Sequence, residues 1–312
     1  MNGVLIIDKP GGLTSHDVVN RVRRILDQRS VGHLGTLDPM ATGILPLVVG
    51  SFTRLAQFYT TSEKTYEGTI RFGFSTDTYD AEGEPTSPPG EVALQIQDVE
   101  TVAARFRGVI EQIPPPFSAK KIQGVPAYKL ARKRKDVVLE PVQVEIMEFE
   151  ILSVEGGRAH FRAHVASGTY MRSVAHDMGK ALGCGAHLES LRRTAVAEFT
   201  LDDAHTLDEL AAAAAGKPPV ETGDPQAAAL LDLFVHPRKL LPDFPSVSAD
   251  ELSAARIRDG RTVNLPEFSR ARQVKVFAGQ RDLIAIATRV AGSLFHPKLV
   301  LHTTTTPVHS RV

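Results

Sequence analysis

The chain has 312 residues, enough for one large domain or for a large and a small one. Its 42% hydrophobic and 23% charged residues are ordinary for a globular protein, and a formal net charge of zero argues against a chain that is basic all over. The single cysteine, Cys184, excludes a disulfide framework and a Cys-rich zinc site and fits a reducing cytoplasm, the expected location.

Met1 leads into β-rich residues 4–8 with no basic n-region, so no secretory signal is expected, and no apolar run is long enough for a membrane helix. Lys9-Pro10-Gly11-Gly12 closes the first strand. Thr14 or Ser15 can then cap a helix with Val18, Val22, Ile25 and Leu26 on one face. Next comes Gly32-His33-Leu34-Gly35-Thr36-Leu37-Asp38-Pro39-Met40-Ala41-Thr42-Gly43-Ile44-Leu45-Pro46. Pro39 disfavours the α conformation at Asp38, which displays the carboxylate in a glycine-rich loop. The same residues also fit a short helical turn with Asp38 as its cap and Pro39 in first position.

A strand at 45–49, a helix at 51–59 and a strand at 65–74 follow, the last with Tyr66, Gly68, Ile70, Phe72 and Phe74 on one face. The acidic stretch 77–84 fails the calcium-loop spacing and reads as a solvated turn. Residues 98–113 read as an amphipathic helix through Val102, Phe106, Val109 and Ile113, stopped by Pro114-Pro115-Pro116. From 119 to 135 the chain carries Lys120, Lys121, Lys129, Arg132, Lys133, Arg134 and Lys135 and no acid, either a solvated face or a seat for a polyanion.

Residues 142–166 read as a hairpin turning at Glu155-Gly156-Gly157, with His160, Arg162 and His164 on a wet face. Gly168-Thr169-Tyr170-Met171-Arg172 starts a helix facing inward through Met171, Val174, Met178 and Leu182. An arginine at a helix N-terminus wants an anionic partner, and Asp38 is a candidate. Thr206 to Glu209 and Ser248 to Glu251 form capping boxes, with an insertion at 216–228 between them. Strands at 273–278, 282–289 and 294–302 complete a small C-terminal unit. No P-loop, dinucleotide glycine fingerprint, Gly-x-Ser-x-Gly elbow or His-Glu-x-x-His motif occurs, so no nucleotide cofactor or metal is expected.

The stretch around Asp38 resembles the active-site signature of the TruB family, the tRNA pseudouridine-55 synthases. Further blocks match in order: Lys9-Pro10-Gly11-Gly12-Leu13-Thr14-Ser15, Lys64-Thr65-Tyr66-Glu67-Gly68, Pro114-Pro115-Pro116-Phe117-Ser118-Ala119-Lys120, Ser167-Gly168-Thr169-Tyr170-Met171-Arg172-Ser173, and residues 185–194. The resemblance implies an α+β fold, a mixed and largely antiparallel sheet flanked by helices (the pseudouridine-synthase fold), with a small C-terminal PUA-like, helix-plus-β domain. It places the catalytic domain at 1–238 and the RNA-binding domain at 239–312. It also implies isomerisation of uridine 55 in the T-loop of tRNA by a cytoplasmic monomer, with no cofactor.

By the same resemblance Asp38 is the catalytic carboxylate, Arg172 its ion partner and Tyr66 the ring that stacks on the target uracil. Tyr170 lines the pocket, His33 lies near the flipped nucleotide, Leu191 is the apolar wall, and Lys9 and Pro10 support the site. Arg132 and Lys133, in the basic run, fall where the family clasps RNA. Leu34, Pro116, Phe117 and Ala197 depart from the usual family residues, and none of these departures falls at Asp38, Tyr66, Tyr170 or Arg172. The competing reading is a non-catalytic tRNA-binding protein, and a lesser one a guide-RNA-dependent relative. A binder has no use for a paired carboxylate, so Asp38 with Arg172 discriminates.

Overall fold

A computed structural model describes residues 1–117, 121–122, 125–126, 139–215, 225–267 and 269–301. The side chains of the basic run, Arg132 and Lys133 among them, and those of the expected insertion at 216–228 lie outside the described residues.

A ten-stranded mixed sheet organises the chain. Strand β1 (Gly3–Lys9) is followed by helix α1 (Ser15–Ile25), then β2 (Val31–His33), β3 (Thr42–Val49) and β4 (Lys64–Phe72). Helix α2 (Ile96–Ala103) and β5 (Gly108–Gln112) come next. The short β6 (Lys121–Ile122) and β7 (Val125–Pro126) pair with each other in a separate two-stranded sheet among the described residues. Then follow β8 (Val142–Glu155), β9 (Arg158–Val165), α3 (Met171–Ala181), β10 (Ala186–Val196), β11 (Phe199–Thr200), β12 (Ala204–His205), α4 (Leu207–Ala214) and α5 (Pro225–Asp232).

The strand order is β12-β1-β3-β10-β4-β9-β8-β5, with β2 joined to β3 and β11 to β10. Among the described residues of this sheet, β1/β12 and β3/β10 run parallel and the other strand pairs antiparallel. A second sheet, β13-β15-β16-β17-β14, is built from β13 (Ser246–Ala249), α6 (Glu251–Arg258), β14 (Val263–Asn264), β15 (Gln273–Ala278), β16 (Asp282–Ala291) and β17 (Leu294–Val300).

Both faces of the central strands are covered, which explains why residues 4–8 alternate so poorly. Leu5 and Ile7 meet Val18 and Val22 of α1, whereas Val4 and Ile6 face the second sheet through Leu240, Leu241, Phe277, Ile286 and Leu299. At the other end of the large sheet, Tyr66, Ile70, Phe149 and Phe161 pack against α2 and α3 through Val99, Met171, Val174 and Met178.

The hairpin β8–β9 and the cap of α1 by Thr14 stand as the sequence reads. Elsewhere the structure corrects the reading. The helix expected over 98–113 stops early, because Gly108 takes φ +84° and turns the chain into β5, leaving Val109 and Ile113 exposed. The helix expected at 51–59 does form, over Gly50–Phe58 and of the 3₁₀ kind, consistent with buried Phe52 and Leu55 spaced three apart. Ser248 belongs to β13, and Asp250 caps α6 by accepting the Ser253 N–H at 2.7 Å. Tyr170 is the N-cap residue of α3, just outside its first turn.

Candidate active site

The loop between β2 and β3 is gripped from several directions, mostly by side chains seeking backbone partners. Ser15, at the start of α1, donates to the Leu37 carbonyl and accepts the Leu37 N–H at 2.8 Å. Lys9, fully buried at the end of β1, donates to the carbonyls of Pro10, Leu13 and Pro39. Burial lowers its ammonium pKa to about 8. From β10, buried Arg193 donates to the carbonyls of Gly35, Thr36 and Ile44. Gly43 has φ +97°, and a Cβ there would lie 2.2 Å from the Arg193 carbonyl oxygen. Only glycine allows β3 to run this close beside β10.

Within that frame the two readings of Asp38 separate. Its backbone carbonyl does close a single turn, accepting the Ala41 N–H at 3.1 Å. Its carboxylate instead faces Arg172. Arg172 Nη2 donates to Oδ1 at 3.0 Å, and Nε lies 2.9 Å from Oδ2 in an ion pair without hydrogen-bond alignment. The arginine side chain is 5% exposed and the aspartate 32%, so Asp38 is the member of the pair that a substrate can reach.

Arg172 has a second counter-charge. Its Nη1 lies 3.3 Å from Asp80 Oδ2 and donates to the Thr78 carbonyl at 3.2 Å, while Nη2 also donates to the Phe117 carbonyl. Asp80 is buried, held by the Thr78 hydroxyl at 2.6 Å and the Glu82 N–H at 3.1 Å. This corrects the reading of 77–84 as a solvated turn. The loop is drawn inward because Ala81 donates to the Leu188 carbonyl on β10 and Leu188 to the Tyr79 carbonyl. Tyr79 takes φ +66°, and its ring stacks on His176 of α3 at 3.7 Å between centroids. No local signal in 77–84 announces this; the burial comes from β10.

One arginine thus serves two carboxylates. Burial pushes the Asp38 carboxyl above its usual range and the Asp80 charge adds to this, while Arg172 pulls the other way. Sharing Arg172 leaves Asp38 more basic than a fully neutralised aspartate would be.

Asp38 opens on a cleft of about 260 Å³ lined also by Tyr66, Tyr170, Arg172 and Leu191. Four of the side chains singled out in the sequence are therefore brought to Asp38. Tyr66, in β4, is buried among Ile70, Phe161 and Met171 yet still lines the cleft, so it serves both core and site. Tyr170 is fixed through its backbone, with Gln112 bridging its N–H and carbonyl. Leu191 separates this cleft from a neighbouring groove that contains Met40 and His160. His33 is not among the cleft-lining residues; its Nδ1 accepts the Gly35 N–H at 3.3 Å and braces the loop. His160 and His164 lie on the outer face of β9, against Thr69 and Glu63 respectively. Lys64 and Arg193 line the cleft as well, although only their sequence blocks, not these residues, stood out.

Among the described residues, no helix is long and apolar enough to cross a membrane. The family description "TruB family pseudouridylate synthase (N terminal domain)" matches residues 23–171, and "tRNA pseudouridylate synthase B C-terminal domain" matches residues 172–238. A tRNA pseudouridine synthase B from Solibacter usitatus (strain Ellin6076) is 52% identical over 304 residues, covering 96% of this chain and 100% of the relative. The protein of that name from Aquifex aeolicus (strain VF5) is 38% identical over 304 residues, with the same coverage. Among solved structures, a Cbf5–Nop10–Gar1 complex contains a chain similar at TM-score 0.66 and 26% identity, over 93% of this chain and 79% of that one. An H/ACA ribonucleoprotein bound to a substrate RNA containing 2′-deoxyuridine shares the fold at TM-score 0.68 and 24% identity, over 96% and 86%. By sequence along nearly its whole length and by fold, this chain belongs to the TruB family of pseudouridylate synthases.

Proposed function

We propose that this protein converts a uridine of tRNA to pseudouridine, that the uridine is position 55 of the T-loop, and that Asp38 is the catalytic carboxylate. The observation that carries the reading is the Asp38–Arg172 pair at the edge of a cleft floored by Tyr66. Stacking a flipped base on an aromatic ring repays the few kcal/mol spent on unstacking it from RNA. The reaction breaks the bond between N1 and C1′, turns the uracil, and joins C5 to C1′. The C5 proton leaves and N1 gains one, so atoms balance without a co-reactant and no cofactor is required.

In this scheme Asp38 acts as the carboxylate, either on the sugar or on the ring, and Arg172 orients it. Tyr66 and Tyr170 hold the base, and Leu191 closes its apolar side. His33 positions the loop near the RNA. Arg132 and Lys133 belong to a segment that contacts T-arm phosphates. The protein works as a cytoplasmic monomer, with a catalytic domain at 1–238 and a small RNA-binding domain at 239–312.

Incubating the protein with unmodified tRNA transcript and mapping pseudouridine by carbodiimide reactivity tests the reading. A new stop at T-loop position 55 is expected. Tight tRNA binding without any modified base would instead establish the non-catalytic alternative.

A further inference from the structure

The cleft has a cationic side that the base-holding residues do not use. Lys64 begins β4 and is 8% exposed, and Arg193, on β10, is 1% exposed; both line the cleft. Among the described residues neither has a carboxylate within 4 Å, in contrast to Arg172 and its two. Lys64 Nζ donates to the Ser62 carbonyl and to the Ser167 hydroxyl at 3.2 Å, two of its three N–H groups. Arg193 spends its hydrogen bonds on neutral carbonyls, so its charge is left unbalanced. The two cations are close neighbours, for a Cβ on Gly35 would lie 3.4 Å from Arg193 Nη1 and 3.9 Å from Lys64 Cε.

Two buried positive charges side by side without an anion are costly unless an anion arrives. The surroundings favour one. Residues 166–171 line the same cleft and lead into α3, whose first turn carries no acid, and the space beside Gly168 is open. Asp38, the anion of the cleft, is held by Arg172 rather than by Lys64 or Arg193.

We propose that Lys64 and Arg193, with the start of α3, form a seat for one phosphodiester of the RNA, flanking the target uridine. Lys64 makes the direct contact and Arg193 supplies charge from behind. The seat would hold the sugar–phosphate next to the flipped base while Tyr66 holds the base. Its geometry makes it separate from the Asp38–Arg172–Asp80 arrangement. The inference rests on the RNA reading given above.

The test uses the full chain and three T-arm stem-loop RNAs: unmodified, and with a neutral methylphosphonate at the linkage 5′ or 3′ of the target uridine. One of the two neutral linkages should weaken binding to the unaltered protein by about tenfold, the size of a lost hydrogen bond between charged partners. In Lys64→Gln the same substitution should cost nothing further, since its partner is already gone. Equal affinity of the unaltered protein for all three RNAs overturns the seat, and that measurement needs no variant to fold. A full tenfold loss retained in Lys64→Gln overturns the assignment to Lys64. Pseudouridine formation on the unmodified stem-loop, followed alongside, separates failure of the seat from failure of the functional reading.

Discussion

Replacing Asp80 by Asn removes one of the two negative charges on Arg172 while keeping the side chain's shape. The Arg172–Asp80 contact of 3.3 Å corresponds to an attraction of about 5 kcal/mol at an effective dielectric of ~20. Part of that is offset, because Arg172 keeps Asp38 and the carbonyls of Thr78 and Phe117, and the asparagine Oδ1 still accepts from Thr78 and Glu82, whereas its Nδ2 would face Arg172 Nη1 donor to donor. A net destabilisation of about 1–3 kcal/mol follows, and a melting temperature lower by a few degrees. The sharper consequence concerns Asp38. With the like charge gone and Arg172 no longer shared, its pKa falls from its raised position. Activity lost as pH falls through that pKa is then lost at lower pH. The assay is single-turnover tritium release from tRNA carrying 5-tritiated uridine, measured across pH 5–8. The acid limb of the rate profile should move down, while the plateau falls by roughly tenfold because Arg172 has lost one tether. An acid limb that stays in place or moves up would refute the idea that Asp80 acts on Asp38 through the shared arginine.

Three further outcomes follow from other parts of the molecule. Gly43→Ala should destabilise by at least about 3 kcal/mol in urea unfolding, since its Cβ would lie 2.2 Å from the Arg193 carbonyl oxygen at a left-handed φ; near-native stability would disprove the close packing of β3 and β10. Burial holds the Lys9 and Lys64 pKa values near 8 in the folded chain, against 10.5 when unfolded. The unfolded state therefore binds more protons above pH 8, and each lysine adds stability as pH rises from about 8, by at most ~3 kcal/mol over the full window. Urea midpoints from pH 7.5 to 9.5 should rise more steeply in the wild type than in Lys64→Met, and parallel curves would contradict the burial argument. Neutralising Arg132, Lys133, Arg134 and Lys135 together should weaken tRNA binding and flatten its salt dependence by about 0.7 per lost phosphate contact; an unchanged slope removes that segment from the interface.

The chemistry near Asp38 was legible because the loop at 32–46 and the helix start at Tyr170-Met171-Arg172 carry unusual local constraints. A proline beside an aspartate, glycines at close approaches and an arginine at a helix N-terminus each need a special environment. The structure brings them together. Asp80 escaped because its sequence is that of an ordinary acidic turn; only the backbone pairing with Leu188 buries it. Arg193 escaped for a related reason. Strand β10 has irregular register on either side of Leu191, so simple alternation does not tell which of Arg192 and Arg193 points inward. Arg192 turns outward to Asp8. Residues 98–113 misled because Val109 and Ile113 continue a helical spacing by coincidence, whereas Gly108 sets the backbone. Helical periodicity is evidence only as far as the next residue with positive φ.

The central claim is that the Asp38 carboxylate performs the isomerisation. Asp38→Asn removes its charge and nucleophilicity while leaving the loop's backbone contacts to Lys9, Ser15 and Arg193 in place. Single-turnover pseudouridine formation on T-arm RNA, measured together with RNA affinity, should show no product while binding stays within a few-fold of wild type. Turnover comparable to wild type in Asp38→Asn would contradict the account.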